Sequence, residues 1–366
     1  MIVSGSTHTI IIRILATIAV LYLCTPDTKA QKDSTNIFYH PEKIIDYTHV
    51  KMKEAENIIE EHLNKKDSLY ITPNKYKLTL MTQYTNAYEY YRFYSPDRKQ
   101  NITFSPDINN KIGFYVGWKW IFFGWTFDVE KNNTKADWNF SFYTSKVGFD
   151  FFYMKRDEGF KIRSLGGFKN EYGNDMRITN NKFNGMSITQ KGFNVYYIFN
   201  NKHFSYPAAY SQTNNQRISC GSFILGLNYS EQNFHIDNNK FSNEILDAMN
   251  PNFKISSVKY KDYSINFGYT YNWVFAKNCL ANISATPAIG YKNTSFKFAL
   301  DKEFIKNINF DFIFRAALLY NNSRYFAGAS LVSHTYSYRK ANISIVNGFG
   351  TFNVYTGIYL FRDKKK

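Results

Sequence analysis

The 366-residue sequence predicts an all-β fold: an antiparallel up-and-down transmembrane β-barrel of about twelve strands, with fourteen the next count. Three observations predict it. From Lys77 almost to the C-terminus, apolar residues alternate with small polar ones, which is the period of a strand with one apolar face. Aromatic residues make up 19% of the chain and crowd the strand ends, where the interfacial girdles of a bilayer lie. The polar faces are mostly Ser, Gly, Asn and Thr, whereas a soluble β-sandwich turns longer charged side chains to water.

The chain opens on Ile10 to Leu23, apolar except for Arg13 and Thr17, followed by Pro26 and the small-residue site Thr28-Lys29-Ala30. Residues 1–30 read as a secretory signal peptide cleaved near Ala30. A retained anchor helix and a lipoprotein modified at Cys24 are the other readings, and the bulky Leu23 speaks against the second. Residues 31–76 are polar and form a periplasmic segment, in which Met52, Ala55, Ile59 and Leu63 recur at helical spacing and predict a short amphipathic N-terminal helix.

The barrel occupies residues 77–366. Its first clear strands place Ile112, Phe114, Val116, Trp118 and Trp120 on one face, then Ile121, Phe123, Trp125, Phe127 and Val129. Val147 to Tyr153, Phe193 to Phe199 and Phe223 to Tyr229 repeat the rule. The stretch SINFGYTYNWVF shows it most plainly, with Ile265, Phe267, Tyr269, Tyr271, Trp273 and Phe275 against Ser264, Asn266, Gly268, Thr270 and Asn272. Phe310 to Tyr320 and Phe352 to Leu360 finish the series. The segments Gln100 to Phe104 and Ala341 to Phe361 leave the count open.

Short connections are expected near Lys119, Ser145, Asn278, Asn322 and Gly348. They alternate with longer loops at Asp157 to Ser187, Glu231 to Lys259 and Lys292 to Asn307, as short periplasmic turns alternate with long outer loops. His203 to Gln216 breaks this alternation by being long where a short turn is due. That segment is expected to fold against or into the lumen, with Ser205, Tyr206, Pro207 and Tyr210 as its candidate plug residues.

The sequence resembles an uncharacterised barrel family of Bacteroidetes-type bacteria, known as the domain of unknown function 4421. Three blocks carry the resemblance: KIGFYVGWKWIFFGWTFDV from Lys111, SYPAAYSQTNNQRISCGSFILGLNYS from Ser205 and LLYNNSRYFAGASLV from Leu318. It spans Lys77 to the C-terminus, implies an outer-membrane location in a Gram-negative bacterium and implies no activity. Phe361 is followed by Arg-Asp-Lys-Lys-Lys, a departure from barrels that end on an aromatic residue.

Charge and chemistry narrow the function. Losing residues 1–30 takes the formal charge from +16 to +15, which suits lipopolysaccharide and outer-membrane lipid as partners, beside the barrel-assembly machinery. Nucleic acid is not expected, because bilayer burial accounts for the aromatic alternation. Cys220 and Cys279 could pair, but two cysteines make no disulfide framework and no zinc spacing. No catalytic residues and no cofactor or metal are predicted: His334, with Ser330 and Ser333, is the only histidine clearly within a strand, and a hydrogen-bonded lumen residue accounts for it.

Lys119, Asp128, Asp150, Asp262, Asp311, Arg315 and Arg324 have the parity opposite to the apolar stripes and are the lumen-facing candidates. Such charges fit either a pore for small polar solutes or cross-barrel ion pairs in a filled lumen, serving an envelope structural or interaction protein. An outer-membrane hydrolase is the third reading.

Overall fold

The computed structural model of the protein describes residues 66–118, 121–129, 135–178, 180–253, 256–297, 302–340 and 343–362. The signal peptide, the amphipathic helix and Lys119 lie outside the described residues. Residues 65–366 form one compact unit. Its strands are β1 (Ile71–Pro73), β2 (Tyr76–Tyr94), β3 (Asn101–Pro106), β4 (Asn109–Trp118), β5 (Ile121–Asp128), β6 (Lys135–Tyr143), β7 (Val147–Arg156), β8 (Phe160–Gly166) and β9 (Asn181–Phe183). They continue as β10 (Met186–Ile198), β11 (Asn214–Gln216), β12 (Cys220–Ile236), β13 (Ser257–Ala276), β14 (Cys279–Lys297), β15 (Lys302–Asn321), β16 (Tyr325–Lys340) and β17 (Ile343–Arg362). Two short helices, α1 (Tyr206–Tyr210) and α2 (Asn243–Ala248), lie in the connections on either side of β12.

One antiparallel path of twelve strands runs β6-β7-β10-β12-β13-β14-β15-β16-β17-β2-β4-β5. Among the described residues no ladder joins β5 to β6. β5 also stops lower than its neighbour β4, whereas β6 runs level with the end of β7, pairing Lys135 with Arg156. Asp128 of β5 pairs with Lys111, which pairs with Thr85, while β2 runs on to Tyr94. Above that level β2 changes partner to β3, and β3 pairs directly with β8, which pairs with β9. The upper part of the sheet therefore has fewer strands across it than the lower part.

The alternation places the apolar stripes of the lower part on the outside. Ile265 is 58% exposed and Phe267 53%, with Tyr263, Tyr269, Tyr271, Trp273 and Phe275 exposed on the same face of β13. Leu225, Leu227, Ile289, Phe310, Leu318, Val354 and Phe114 continue the band on other strands. From Tyr263 to Phe275 the stripe runs roughly 40 Å along the strand, or about 30 Å along the membrane normal at a barrel strand's tilt. That height matches a bilayer's hydrocarbon, the one solvent in which such a surface is stable. Among the described residues no helix is long and apolar enough to cross a membrane.

Several expected connections change. Gly348 lies inside β17, paired with Tyr90 and Thr335, so no turn occurs there. Gln100 to Phe104 contributes a real strand, β3. The span Asp157 to Ser187 holds β8, β9 and the start of β10 instead of a free loop. Likewise β12 and β13 extend to Ile236 and back from Ser257, and β14 and β15 pair as far as Lys297 and Lys302. On β10, β12 and β13 the reason is that the apolar residues change faces, so the alternation breaks off where the strand continues.

Candidate functional site

The face change is aligned in register across neighbouring strands. On β13 the inward side reads Val258 and Tyr260, both buried and nonpolar in their bulk, then Asp262, Ser264, Asn266, Thr270 and Asn272. On β12 the inward sequence is Ile236, Phe234, then Gln232, Ser230 and Asn228; on β10 it is Met186, Ile188, then Gln190 and Asn194. Gln190 pairs with Gln232, and the next step pairs Lys191 with Glu231 and Glu231 with Lys261. Below this level the barrel is apolar outside and polar inside; above it the faces are exchanged.

The upper interior is a hydrophobic cap. Tyr91 and Phe93 of β2, Phe104 of β3, Phe160 and Ile162 of β8 and Phe183 of β9 meet Phe234, Val258 and Tyr338 there. Phe241, Ile245, Met249 and Phe253, from the connection containing α2, close it from above. Edge-to-face ring pairs such as Phe93 with Phe234, 5.7 Å apart, link β2 to β12, which are not sheet neighbours.

Directly below the cap, a buried polar septum crosses the lumen. Glu89 of β2 forms an ion pair with Arg156 at the end of β7 at 2.6 Å, both nearly inaccessible, and accepts a hydrogen bond from the Tyr91 hydroxyl at 2.7 Å. Gln190 Nε2 donates to Tyr91 at 3.3 Å and to Gln232 Oε1 at 3.1 Å. Asn347 donates to that same oxygen at 2.9 Å and accepts from the Tyr260 hydroxyl at 2.9 Å. Lys292, fully buried, binds Asp311 at 2.7 Å and donates to the Ser337 carbonyl at 3.0 Å, with the rings of Tyr260 and Tyr336 beside it. Asp262 is fully buried in the same group, and Gly290 leaves it room: a β-carbon there would stand 2.4 Å from Asp262 Oδ1.

A second cross-lumen pair lies lower. Arg315 of β15 donates to Asp150 of β7 at 2.7 Å and stacks over Tyr196, while Asn266 donates to Asn194 at 2.9 Å. His334 is buried among Phe152, Tyr336 and Phe349. Among the described residues no group of three His, Cys, Asp or Glu side chains is arranged to hold a metal ion.

The lower end is filled by residues 200–219. Ser205 caps α1 by accepting from the Ala208 amide, and Pro207 sits in the first turn, where its missing N–H costs nothing. Tyr206 hydrogen-bonds Ser284 at 2.7 Å, Tyr210 donates to Asn282 at 2.7 Å, and Tyr359 donates to the Gln212 carbonyl at 2.7 Å. Asn272 holds the backbone of Ser205 at 2.9 Å and Gln216 Oε1 at 3.1 Å. The short strand β11 of this segment pairs with β1. Cys220 donates to the His203 carbonyl at 3.1 Å, and Cys220 and Cys279 are both free thiols.

Of the lumen candidates, Asp150, Asp262, Asp311 and Arg315 are inside and brought together in two groups. Asp128 is at the exposed upper rim of β5, 4.0 Å from Lys111. Arg324 requires a correction. It is exposed in the turn between β15 and β16, with its amide bonded to Asn322 Oδ1, so strand parity does not govern its side chain. Glu89, Arg156 and Lys292 are charged members of the interior that the lumen-facing candidates omit. Lys292 shares parity with Gly290 and Thr294, a signal hidden by treating Lys292 to Asn307 as loop.

These features define a class: a transmembrane β-barrel whose interior holds a hydrophobic cap, a buried polar septum and, at the lower end, the segment 200–219. The chain belongs to the family described as Domain of unknown function (DUF4421), whose model matches residues 65–361. No curated protein matches it. Solved structures similar to it include the Escherichia coli outer membrane protease OmpT, at 8% identity and TM-score 0.39, covering 80% of this chain and 99% of that one. The translocator domain of the Neisseria meningitidis autotransporter NalP is similar at 6% identity and TM-score 0.29, covering 91% and 100%. Ail, the attachment invasion locus protein of Yersinia pestis, stands at 8% identity and TM-score 0.23, covering 77% and 99%. Likenesses this distant carry no argument about what the chain does.

Proposed function

We propose that this chain is a closed outer-membrane barrel that acts as a structural or interaction protein of the envelope, presenting its upper tier to the outside. The outer-membrane location is supported by the exposed apolar band and by the alternation of short turns with long connections. One observation carries the closed reading: the inward side chains from Gln190 to Asn347 are buried against one another across the lumen, whereas a water-filled channel leaves such groups wet. The plug at residues 200–219 supports it from the other end. No transported solute and no catalytic step enter this reading.

Planar-bilayer recording on the purified protein tests the proposal. The expected record shows no stepwise conductance for the wild type, and none when Tyr206→Ala and Tyr210→Ala loosen the plug alone, because the septum still blocks the path. Reproducible conductance steps in the wild-type protein would overturn it and restore a pore for small polar solutes.

A further inference from the structure

The outward face at the level of the tier boundary carries lysines in a regular arrangement. Lys191 of β10, Glu231 of β12 and Lys261 of β13 stand side by side in one cross-strand row, and Lys259 lies two residues above Lys261 on the same face. Glu231 gathers two of them, at 3.4 Å from Lys191 and 2.8 Å from Lys259, while both ammonium-bearing side chains stay about half exposed. Among the described residues Lys261 has no ion pair. Three cations thus surround one carboxylate, and the surplus charge points outward. Lys155 nearby is balanced by Asp157 at 3.1 Å and adds little.

The row beneath is aromatic without a gap. Phe193, Tyr229, Tyr263 and Tyr291 pair across four neighbouring strands, with ring centroids 5.7 Å apart for Phe193 and Tyr229 and 5.1 Å for Tyr229 and Tyr263. Exposed Leu227 and Ile265 follow one step lower. A soluble anion could use the lysines but nothing below them. A lipid uses both, with phosphates on the ammonium groups and acyl chains along the aromatic and aliphatic rows.

We propose that Lys191, Lys259 and Lys261 form a binding site for a phosphorylated membrane lipid. The spacing narrows the ligand. Lys191 and Lys261 are two strand steps apart, roughly 10 Å, so the headgroup that fits best bears two phosphates at about that separation. Glu231 holds Lys191 and Lys259 in place when no lipid is bound and keeps the site from being a uniformly repulsive patch. This inference rests on the membrane reading of the barrel, because it needs hydrocarbon immediately below the row.

The test uses the full mature chain in neutral detergent and in phosphatidylcholine vesicles, with native mass spectrometry and thermal melts as readouts. The probes are bis-phosphorylated lipid A, its dephosphorylated form, phosphatidylglycerol and inorganic phosphate. The expected result is retention of bis-phosphorylated lipid A and a raised melting temperature, with dephosphorylated lipid A and inorganic phosphate inert. The triple variant Lys191→Gln, Lys259→Gln, Lys261→Gln is exposed on its changed side chains and so folds; its affinity should fall on the order of tenfold or more. Unchanged affinity in that variant, or equal binding of the dephosphorylated lipid, would overturn the site. Binding of phosphatidylglycerol as tight as that of the two-phosphate lipid would overturn the spacing argument. Failure of the wild type to enter phosphatidylcholine vesicles would instead strike the membrane reading itself.

Discussion

The two tiers of this barrel share strands but obey opposite rules. On β13, Lys259 and Lys261 face outward above Tyr263 and Ile265, while Val258 and Tyr260 face inward above Asp262 and Ser264. The backbone does not change phase; the solvent does. Hydrocarbon bathes the lower tier, so apolar atoms outside lose nothing and polar atoms gather within. Water bathes the upper tier, and the hydrophobic effect drives Phe93, Phe104, Phe234 and Tyr260 into a common core. The difference teaches that strand parity names a face, and that which face is buried depends on the medium around it.

The sharpest test of the boundary is the Glu89–Arg156 pair. Arg156→Met alone leaves a buried carboxylate without its cation and should cost about 3–5 kcal/mol, whereas the double change with Glu89→Met should recover most of that loss. Urea unfolding in lipid vesicles reads both, and additivity of the two single changes would break the septum account. Within the cap, Phe234→Ala should cost about 3–5 kcal/mol, the penalty of a cavity in a packed core. Loss confined to the lower tier would show that the cap does not pack as one unit.

A paired substitution measures the change of medium directly. Tyr269→Lys, at the middle of the hydrocarbon band, should cost about 2–4 kcal/mol, while Asn233→Lys on the outward face of the upper tier should stay within about 0.5 kcal/mol. Equal costs at the two sites would remove the boundary. The smallest effect is a pH dependence at the upper rim. Lys161 at 2.7 Å, and then Arg163 at 3.1 Å, hold the Asp107 carboxyl below its ordinary value. Its folded-state pKa is depressed, so the stability it adds is present above the unfolded value, about 4, and is lost as pH falls through the lower folded value. Hydrogen exchange of the β8 amides between pH 5 and pH 2 should show that loss, and Asp107→Asn should flatten it; an unchanged profile would mean the exposed pair is screened to nothing.

Much of this was legible in the residues. The stripe Ile265 to Phe275 announced a lipid-facing sheet, and the length of His203 to Gln216 singled out the segment that now fills the lower lumen. The cap was also written in the sequence, since VKYKDYSI moves its apolar positions from Val258 and Tyr260 to Tyr263 and Ile265. Reading Lys292 to Asn307 as a loop hid Lys292, which continues the inward face of β14. Arg324 failed for a different reason: a turn releases a side chain from the two-residue period.

Sequence alone determined the lipid-facing stripes of the long strands and many of the inward polar residues, because period and polarity are local properties of the chain. It did not determine which inward groups meet. Arg315 finds Asp150 from a strand 165 residues away, and Gln232 finds Asn347 across the lumen, only after the sheet curls and its diameter is set. The upper tier likewise depends on β3 pairing with β8, a non-local choice of partner that no alternation of residues encodes.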